Sequence, residues 1–170
     1  MSAREAALYA ELDRLGIAHR TEEHPAVFTV AESAPIKAAL PGGHSKTLLL
    51  RDKRDLFLVV ALGAARVDLK AVARAVGAEG RLSFADAERL LATLGLTPGS
   101  VTPFGLMHEG AGAIRSVVLD AALLSYDPVW FHPLRNTAST AVSPDGLRAF
   151  CAAHARTVLE IGGQAAESPS

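Results

Sequence analysis

Two apolar runs joined by four charged residues constrain the fold of this chain more than any other stretch. Residues 46–51 and 56–62 are rich in leucine and valine, and Asp52, Lys53, Arg54 and Asp55 separate them. Short apolar runs with a polar turn between them predict a β-hairpin. Residues 48–50 and 58–60 are apolar at consecutive positions, so both faces of each strand should be covered. The hairpin is therefore expected at the centre of its sheet.

Helix and strand signals alternate irregularly along the rest of the chain. Apolar spacing and capping residues predict helices at residues 3–15, 69–76 and 144–154, and a helix that Ser83 opens with Asp86 in a capping box. Thr29 and Glu32 form a capping box for a short helix that Pro35 ends, and a second helical piece is expected at 36–40. Further strands are expected at residues 17–22, 114–119, 129–132, 139–142 and 157–161.

Hairpin and helix connections occur together, which is typical of the α+β class. We expect one domain, a mixed and mainly antiparallel sheet, partly closed and barrel-like, surrounded by helices. A chain of 170 residues fits one such domain, placed at residues 1–162 with a frayed tail at 163–170. No apolar run approaches the roughly 18 residues of a membrane span. No signal peptide is recognisable, and the single cysteine, Cys151, has no partner for an internal disulfide. We expect a cytoplasmic protein without a membrane partner.

The net charge of −1 gives no global electrostatic argument for binding duplex nucleic acid. A nucleic-acid contact should therefore be local, such as a strand end held by a few arginines and Lys46. Lys46 follows a glycine turn and precedes three leucines. A lysine in this position is either a surface side chain with a buried stem or a site residue.

The surrounding Gly42-Gly43-His44-Ser45-Lys46-Thr47 segment has a superficial likeness to a phosphate-binding loop. It is not one, because Ser45 replaces the glycine required before the lysine, and the segment precedes a strand instead of following one. The six histidines have no zinc-ligand spacing, so we expect no metal and no cofactor. Cys151 falls between apolar residues of a helix, where a buried core residue is a better interpretation than a nucleophile.

Two further segments could form a site. Residues 99–105 contain two glycines and Pro103, a rigid backbone that could present N–H groups to an oxyanion or could be a tight connection only. Residues 132–140 place hydroxyl and amide side chains behind His132. They could wall a small polar pocket or form a hydrated turn.

Four motifs occur in order along the chain: Glu23-His24-Pro25 with Phe28-Thr29-Val30, then residues 46–52, 99–105 and 132–140. Together they resemble the YbaK/ProX aminoacyl-tRNA editing family, and within it the free-standing prolyl-tRNA editing proteins of the PrdX or ProXp-ala type. The resemblance covers nearly the whole chain. It implies an enzyme that hydrolyses the ester of a wrong amino acid on tRNA, with the acceptor end of an aminoacyl-tRNA as partner and prolyl-tRNA synthetase as a possible second partner.

The resemblance also implies roles for individual residues. Lys46 matches the key lysine of the family, and His132 matches the pocket wall of this subgroup, so both are assigned as catalytic. The substrate-binding residues that it implies are Phe28, Thr29, Thr47, Gly99, Ser100, Pro103, Asn136 and Thr137. Thr47 stands where many relatives have asparagine, and Arg135 and Ser139 also differ from the commonest form. The resemblance favours alanine on proline tRNA as the substrate. The alternatives are cysteine or another mischarged amino acid, or a non-catalytic module that binds tRNA, a synthetase or DNA.

Overall fold

The computed structural model of the protein describes residues 1–27 and 30–162. Phe28, Thr29 and the predicted tail at residues 163–170 lie outside the described residues. The helices are α1 (Ala3–Arg14), α2 (Val30–Ala39), α3 (Leu69–Val76), α4 (Ala87–Leu94) and α5 (Pro144–His154). The strands are β1 (Arg20–Glu23), β2 (Gly43–Arg51), β3 (Leu56–Leu62), β4 (Ser83–Phe84), β5 (Ile114–Asp120), β6 (Val129–Phe131), β7 (Ala138–Val142) and β8 (Val158–Ile161). Short 3₁₀ helices lie at Pro103–Met107, Glu109–Ala113 and Leu123–Ser125.

The strands form one mixed sheet in the order β1-β7-β6-β2-β3-β5-β8, with β4 added to β2. Four neighbouring pairs are antiparallel, and the β2–β6, β3–β5 and β5–β8 pairs are parallel. The predicted mainly antiparallel α+β sheet is therefore confirmed. In the described part of the chain β1 and β8 do not pair with each other, so the sheet is open and not a closed barrel. No helix in residues 1–27 or 30–162 has the length and apolarity to cross a bilayer.

Strand β2 lies at the centre of the sheet, as its apolar pattern predicts. It pairs with β3 along Ser45–Arg51 and with β6 at Gly43 and His44. Alternate residues of a strand point to opposite faces. Leu49 accordingly belongs to the larger core, with Phe104 and Phe150, whereas Leu50 belongs to a second core on the other face. Helices cover both faces, which is why consecutive apolar residues are needed.

Several helix ends follow their local sequence. The Asp68 carboxylate accepts the Lys70 and Ala71 amides, and Gly77 ends α3 in the left-handed region at φ 66°. Ser143 caps α5 by accepting the Gly146 amide. These boundaries confirm the predictions made from capping residues.

Two helix predictions are wrong. Pro35 does not divide the segment after Val30, because α2 runs through it to Ala39. An interior proline removes one helical hydrogen bond, and α2 continues for four residues beyond Pro35 despite that loss. Ser83 does not open α4 either: Ser83 and Phe84 pair with β2, and Asp86 is the N-cap that accepts the Arg89 amide. The first strand is also shorter than expected, because Ile17 is buried in the core before the strand begins at Arg20.

Candidate active site

A cleft of about 330 Å³ lies between helix α2 and the ends of strands β2, β6 and β7. Its polar lining includes three histidines and three serines: His24, His44, His132, Ser33, Ser45 and Ser139. Val101 and Phe131 supply part of an apolar wall. The cleft thus combines residues from four separate parts of the chain, two of which are the segments proposed from sequence as site walls.

The turn at Gly42 and Gly43 brings β2 to this cleft. Gly42 has a φ of 132°, and a Cβ built there would lie 2.3 Å from the carbonyl oxygen of Pro128. Only glycine allows this approach of two backbones. The close contact aligns the start of β2 with β6, where His44 pairs with Trp130.

His132 is a partly buried polar group of the cleft. Its Nδ1 lies 3.1 Å from the Ala138 carbonyl oxygen, and a carbonyl only accepts, so Nδ1 carries the proton. Removal from water lowers the pKa of His132 below its usual 6.5, partly opposed by the Ala138 hydrogen bond and helped by the nearby His24. At neutral pH the ring is therefore neutral, with Nε2 unprotonated.

His24 and Ser139 form a hydrogen-bonded pair beside His132. The His24 Nε2 and the Ser139 Oγ are 2.8 Å apart, although the residues are 115 positions apart in sequence. The His24 and His132 ring centroids are separated by 6.4 Å. His24 is held in place by its backbone amide, which donates to the Thr137 carbonyl at 2.9 Å. His132, one of the two predicted catalytic residues, and the His24–Ser139 pair therefore lie in the same wall of the cleft.

Lys46 lies on β2 two residues beyond His44, on the same face of the strand. Its ammonium donates to the backbone carbonyl of Ala65, and its side chain does not line the cleft in the described structure. Thr47 is buried and points to the opposite face, next to Leu49 in the larger core. The structure thus places the two residues on different sides of the sheet.

The loop before the 3₁₀ helix meets the segment after β6. Gly99 has a φ of 97°, and a Cβ there would lie 3.9 Å from Nδ2 of Asn136. Ser100 is buried, and both its amide and its hydroxyl donate to the Thr97 carbonyl, at 3.2 and 3.1 Å. The Gly99 amide has no hydrogen-bond partner among the described residues. Of the Gly99 and Ser100 amides, the Gly99 N–H is therefore the one left for a ligand.

Of the other predicted substrate-binding residues, the structure places Pro103 and Thr137. Pro103 is buried as the first residue of its 3₁₀ helix. Thr137 is exposed, and its hydroxyl accepts from the Arg135 guanidinium at 2.9 Å. Phe28 and Thr29 cannot be placed, because they lie outside the described residues.

A cluster of cations occupies the opposite end of β2, which we call the arginine surface: Arg51, Lys53, Arg81 and Arg89. All four are exposed, and none forms an ion pair within the residues that the structure describes. Arg51 borders two adjoining grooves that contain the other three. Phe84, 61% exposed, lies in one of them. Ser45 in the cleft and Arg51 in the arginine surface are six residues apart on β2, a separation of roughly 20 Å in extended chain.

Sequence patterns alone did not assign His24 or the arginine surface to a site, and they included Ser139 only as part of the 132–140 segment. The Glu23-His24-Pro25 motif was the one available signal for His24. The four cations carried none, because only strand pairing of β4 with β2 brings them together. Within residues 1–27 and 30–162, no three His, Cys, Asp or Glu side chains are grouped as metal ligands.

Comparison with known proteins identifies the class to which this fold and cleft belong. Residues 24–150 match the family model described as the aminoacyl-tRNA editing domain, which covers most of the chain. The chain belongs to the aminoacyl-tRNA editing family, and the resemblance to YbaK/ProX proteins is confirmed.

Individual relatives agree with this membership. The prolyl-tRNA editing protein ProX of Acetoanaerobium sticklandii is 35% identical over 163 residues, covering 95% of this chain and 98% of the relative. The prolyl-tRNA synthetase associated domain-containing protein 1 of Mus musculus is 39% identical over 152 residues, covering 84% and 89%. A crystal structure provisionally assigned as a trans-editing enzyme for prolyl tRNA synthetase has a TM-score of 0.73 and 24% identity, covering 99% of both chains. That structural likeness shows the shared fold.

Proposed function

We propose that this protein is a trans-acting aminoacyl-tRNA deacylase that hydrolyses alanine from mischarged proline tRNA. The observation that carries the proposal is the small cleft with a neutral histidine in its wall, found in a member of the aminoacyl-tRNA editing family. The names of the relatives, which refer to prolyl-tRNA editing and to prolyl-tRNA synthetase, support proline tRNA as the carrier.

The chemistry needs little from the protein. An aminoacyl ester is already activated, so hydrolysis requires a positioned water and stabilisation of the oxyanion. The unprotonated Nε2 of His132 is suited to accept a proton from the attacking water. The Gly99 amide is suited to donate to the oxyanion, whereas the Ser100 amide is already used by Thr97.

Lys46 supplies the positive charge in this scheme. The Ala65 carbonyl is a neutral partner, so a phosphate or a developing oxyanion of the substrate can replace it as a stronger one. Four rotatable bonds allow the ammonium to move from Ala65 to the terminal adenosine. Lys46 then binds the phosphate or polarises the ester, and the 2′-hydroxyl of the tRNA assists.

The logic of editing supports a small amino acid. A hydrophobic pocket discriminates poorly against a side chain smaller than its cognate, so a synthetase for proline also accepts alanine. A second hydrolytic site that excludes the larger cognate side chain is the physical remedy. Val101 and Phe131 give the cleft an apolar wall that a methyl group can contact.

The arginine surface supports the acceptor end of tRNA as the partner. Unpaired arginines beside an exposed aromatic ring suit phosphates and bases. This local cluster supports the interpretation that a protein with a net charge of −1 contacts nucleic acid locally. It also favours the second candidate, a tRNA-binding module without catalysis.

A panel of charged tRNAs tests the proposal. Purified protein is mixed with proline tRNA carrying alanine, cysteine or proline, and release of the amino acid is followed against spontaneous hydrolysis. We expect alanine to be released fastest and proline to be spared. Fastest release of cysteine would replace alanine with the alternative substrate. Tight, salt-dependent binding of uncharged tRNA without release of any amino acid would favour the non-catalytic module.

A further inference from the structure

Three polar groups of the cleft use their protons for contacts with the protein. The Nδ1–H of His132 donates to Ala138, and the Ser45 hydroxyl donates to the Trp130 carbonyl at 2.6 Å. The Nε2 of His44 lies 2.7 Å from the Leu40 carbonyl and must therefore carry its proton there. Each of these groups keeps only lone pairs for a ligand.

The Ser139 hydroxyl proton is also already used, in a hydrogen bond to His24. The Nδ1 of His24 lies 2.9 Å from the Pro25 carbonyl and must carry the proton of the neutral ring. The Nε2 of that ring then accepts, so Ser139 is the donor in the 2.8 Å hydrogen bond between them. With its proton bound to His24, the Ser139 oxygen can only accept from a molecule in the cleft.

The charges around the cleft complete the description. In the described part of the chain no carboxylate lines it, and Lys37, on the exposed side of α2, is its one lysine. An exposed charge at the rim is screened by salt and solvent. The interior of the cleft is thus neutral and rich in hydrogen-bond acceptors, and it fits a group that has several donors and no need of a buried carboxylate.

We propose that Ser139, oriented by His24, binds the α-ammonium group of the aminoacyl ester and makes a free amino group a requirement for the substrate. The inference rests on the proposed function and names the part of the substrate that this wall recognises. An ammonium has three N–H donors, while the ester oxygens beside it only accept. Hydrogen bonds from a charged donor are about twice as strong as neutral ones.

The same arrangement disfavours the product. A released amino acid carries a carboxylate, which only accepts and is negatively charged, so the acceptors of this wall have no proton to offer it. The ester lacks that charge. This wall thus disfavours the carboxylate of a free amino acid, although it can bind the ammonium of the product as it does that of the ester.

Small esters test the recognition without tRNA. L-alanine methyl ester and N-acetyl-L-alanine methyl ester are titrated separately into the protein, and the ring signals of His24 and His132 are followed by NMR. We expect the free ester to bind at least about 10-fold more tightly, the effect of one hydrogen bond to a charged group. Ser139→Ala should remove the difference, and Ser139→Thr should retain it. Ser125→Ala removes an exposed hydroxyl on a 3₁₀ helix. It is the matched control and should not change the difference in affinity between the two esters.

Equal affinity for the two esters, or no binding of either, would overturn the proposal. A difference that persists in Ser139→Ala would do so as well, because another group would then recognise the ammonium or the ester. Perturbation of the cleft by adenosine but not by the free ester would assign the acceptors to the ribose hydroxyls or the adenine amino group instead.

Charged tRNA separates this proposal from the function on which it rests. If alanyl-tRNA and N-acetyl-alanyl-tRNA are hydrolysed at equal rates, the deacylase function stands and the recognition of the ammonium is wrong. If neither is hydrolysed but the small esters show the expected difference, the recognition stands and the deacylase function fails. We expect the wild type to hydrolyse alanyl-tRNA rapidly and N-acetyl-alanyl-tRNA at least about 10-fold more slowly. In Ser139→Ala the ratio of these two rates should be smaller.

Discussion

Arg135 clamps the segment between β6 and β7 to the first helix through Glu5. Its Nε and Nη2 donate to the two oxygens of Glu5 at 2.8 and 3.0 Å, and Glu5 is only 2% exposed. Glu23 receives two more hydrogen bonds from the same guanidinium, and Tyr9 donates to Glu5 at 2.8 Å. The segment that carries His132 and Asn136 is therefore anchored by a buried ion pair.

Removal of Arg135 should destabilise the protein far more than removal of its exposed partner. Arg135→Gln leaves the Glu5 carboxylate buried without its cation, and breaking such a pair costs about 3 kcal/mol. Glu23→Gln is the matched control, because Glu23 is exposed and solvent screens its ion pair, so this variant should destabilise the protein much less. Free energies of unfolding from urea denaturation give both values. Equal losses in the two variants would contradict the assignment.

Acid should weaken the same clamp. The hydrogen bonds from Arg135 outweigh burial and hold the pKa of Glu5 below its usual 4.5. A carboxyl whose pKa is lowered by folding stabilises the protein above 4.5 and loses that contribution as the pH falls through its folded pKa. Unfolding free energies should therefore fall below pH 4.5 in the wild type and fall less steeply in Glu5→Gln. An identical slope in the two proteins would exclude Glu5 as a major source of the acid sensitivity.

Hydrolysis should depend on an unprotonated His132. Burial lowers the pKa of His132 below 6.5, so the neutral ring predominates at and above that pH and is lost only in more acidic solution. The deacylation rate, corrected for spontaneous hydrolysis, should be level with respect to this group above pH 6.5 and fall below it. NMR titration of the His132 ring should give a midpoint that matches the fall. A midpoint above 6.5 would contradict the desolvated state of the ring.

The arginine surface should contribute to tRNA binding through phosphate contacts. Arg51→Gln and Arg81→Gln should each reduce the slope of log affinity against log salt by roughly 1 for each phosphate that the variant no longer neutralises. Arg148→Gln is the control, because Arg148 is already paired with Asp145 and Glu160. Binding of uncharged tRNA is measured at several salt concentrations. Slopes that equal the wild-type value in both variants would mean that tRNA does not reach this surface.

Lys46 should be needed for hydrolysis and not for folding. Lys46→Ala removes a charge that the proposal assigns to the substrate, and removing one such interaction from the transition state costs about 100-fold in rate. Lys70→Ala, an exposed lysine on α3, should hydrolyse at the wild-type rate. Single-turnover deacylation at saturating protein separates the chemical step from binding. Full activity of Lys46→Ala would remove this residue from the mechanism.

Sequence patterns predicted the parts of the fold that local chemistry determines. The hairpin followed from consecutive apolar residues, and α3 followed from Asp68 and Gly77, since each signal lies within a few residues of the structure it specifies. The prediction at Pro35 was wrong because an interior proline costs one helical hydrogen bond without always ending a helix, and α2 continues past it to Ala39.

The candidate site was predictable only in part, for the same reason. Residues 99–105 and 132–140 were each proposed as part of a site, and Val101 and His132 from these segments line the cleft. Whether Lys46 acts there stays a prediction, because its ammonium rests on Ala65 in the described structure. The His24–Ser139 pair joins residues from distant parts of the chain through the β1–β7 pairing. No local pattern could reveal that contact.

The rate of hydrolysis of alanine relative to proline on the same proline tRNA tests the central claim most directly. Measured with purified wild-type protein under single-turnover conditions, the alanyl ester should be hydrolysed at least about 10-fold faster than the prolyl ester, because the cleft admits the smaller side chain. Equal rates for the two esters, or rates no faster than spontaneous hydrolysis for either, would contradict the proposed editing function.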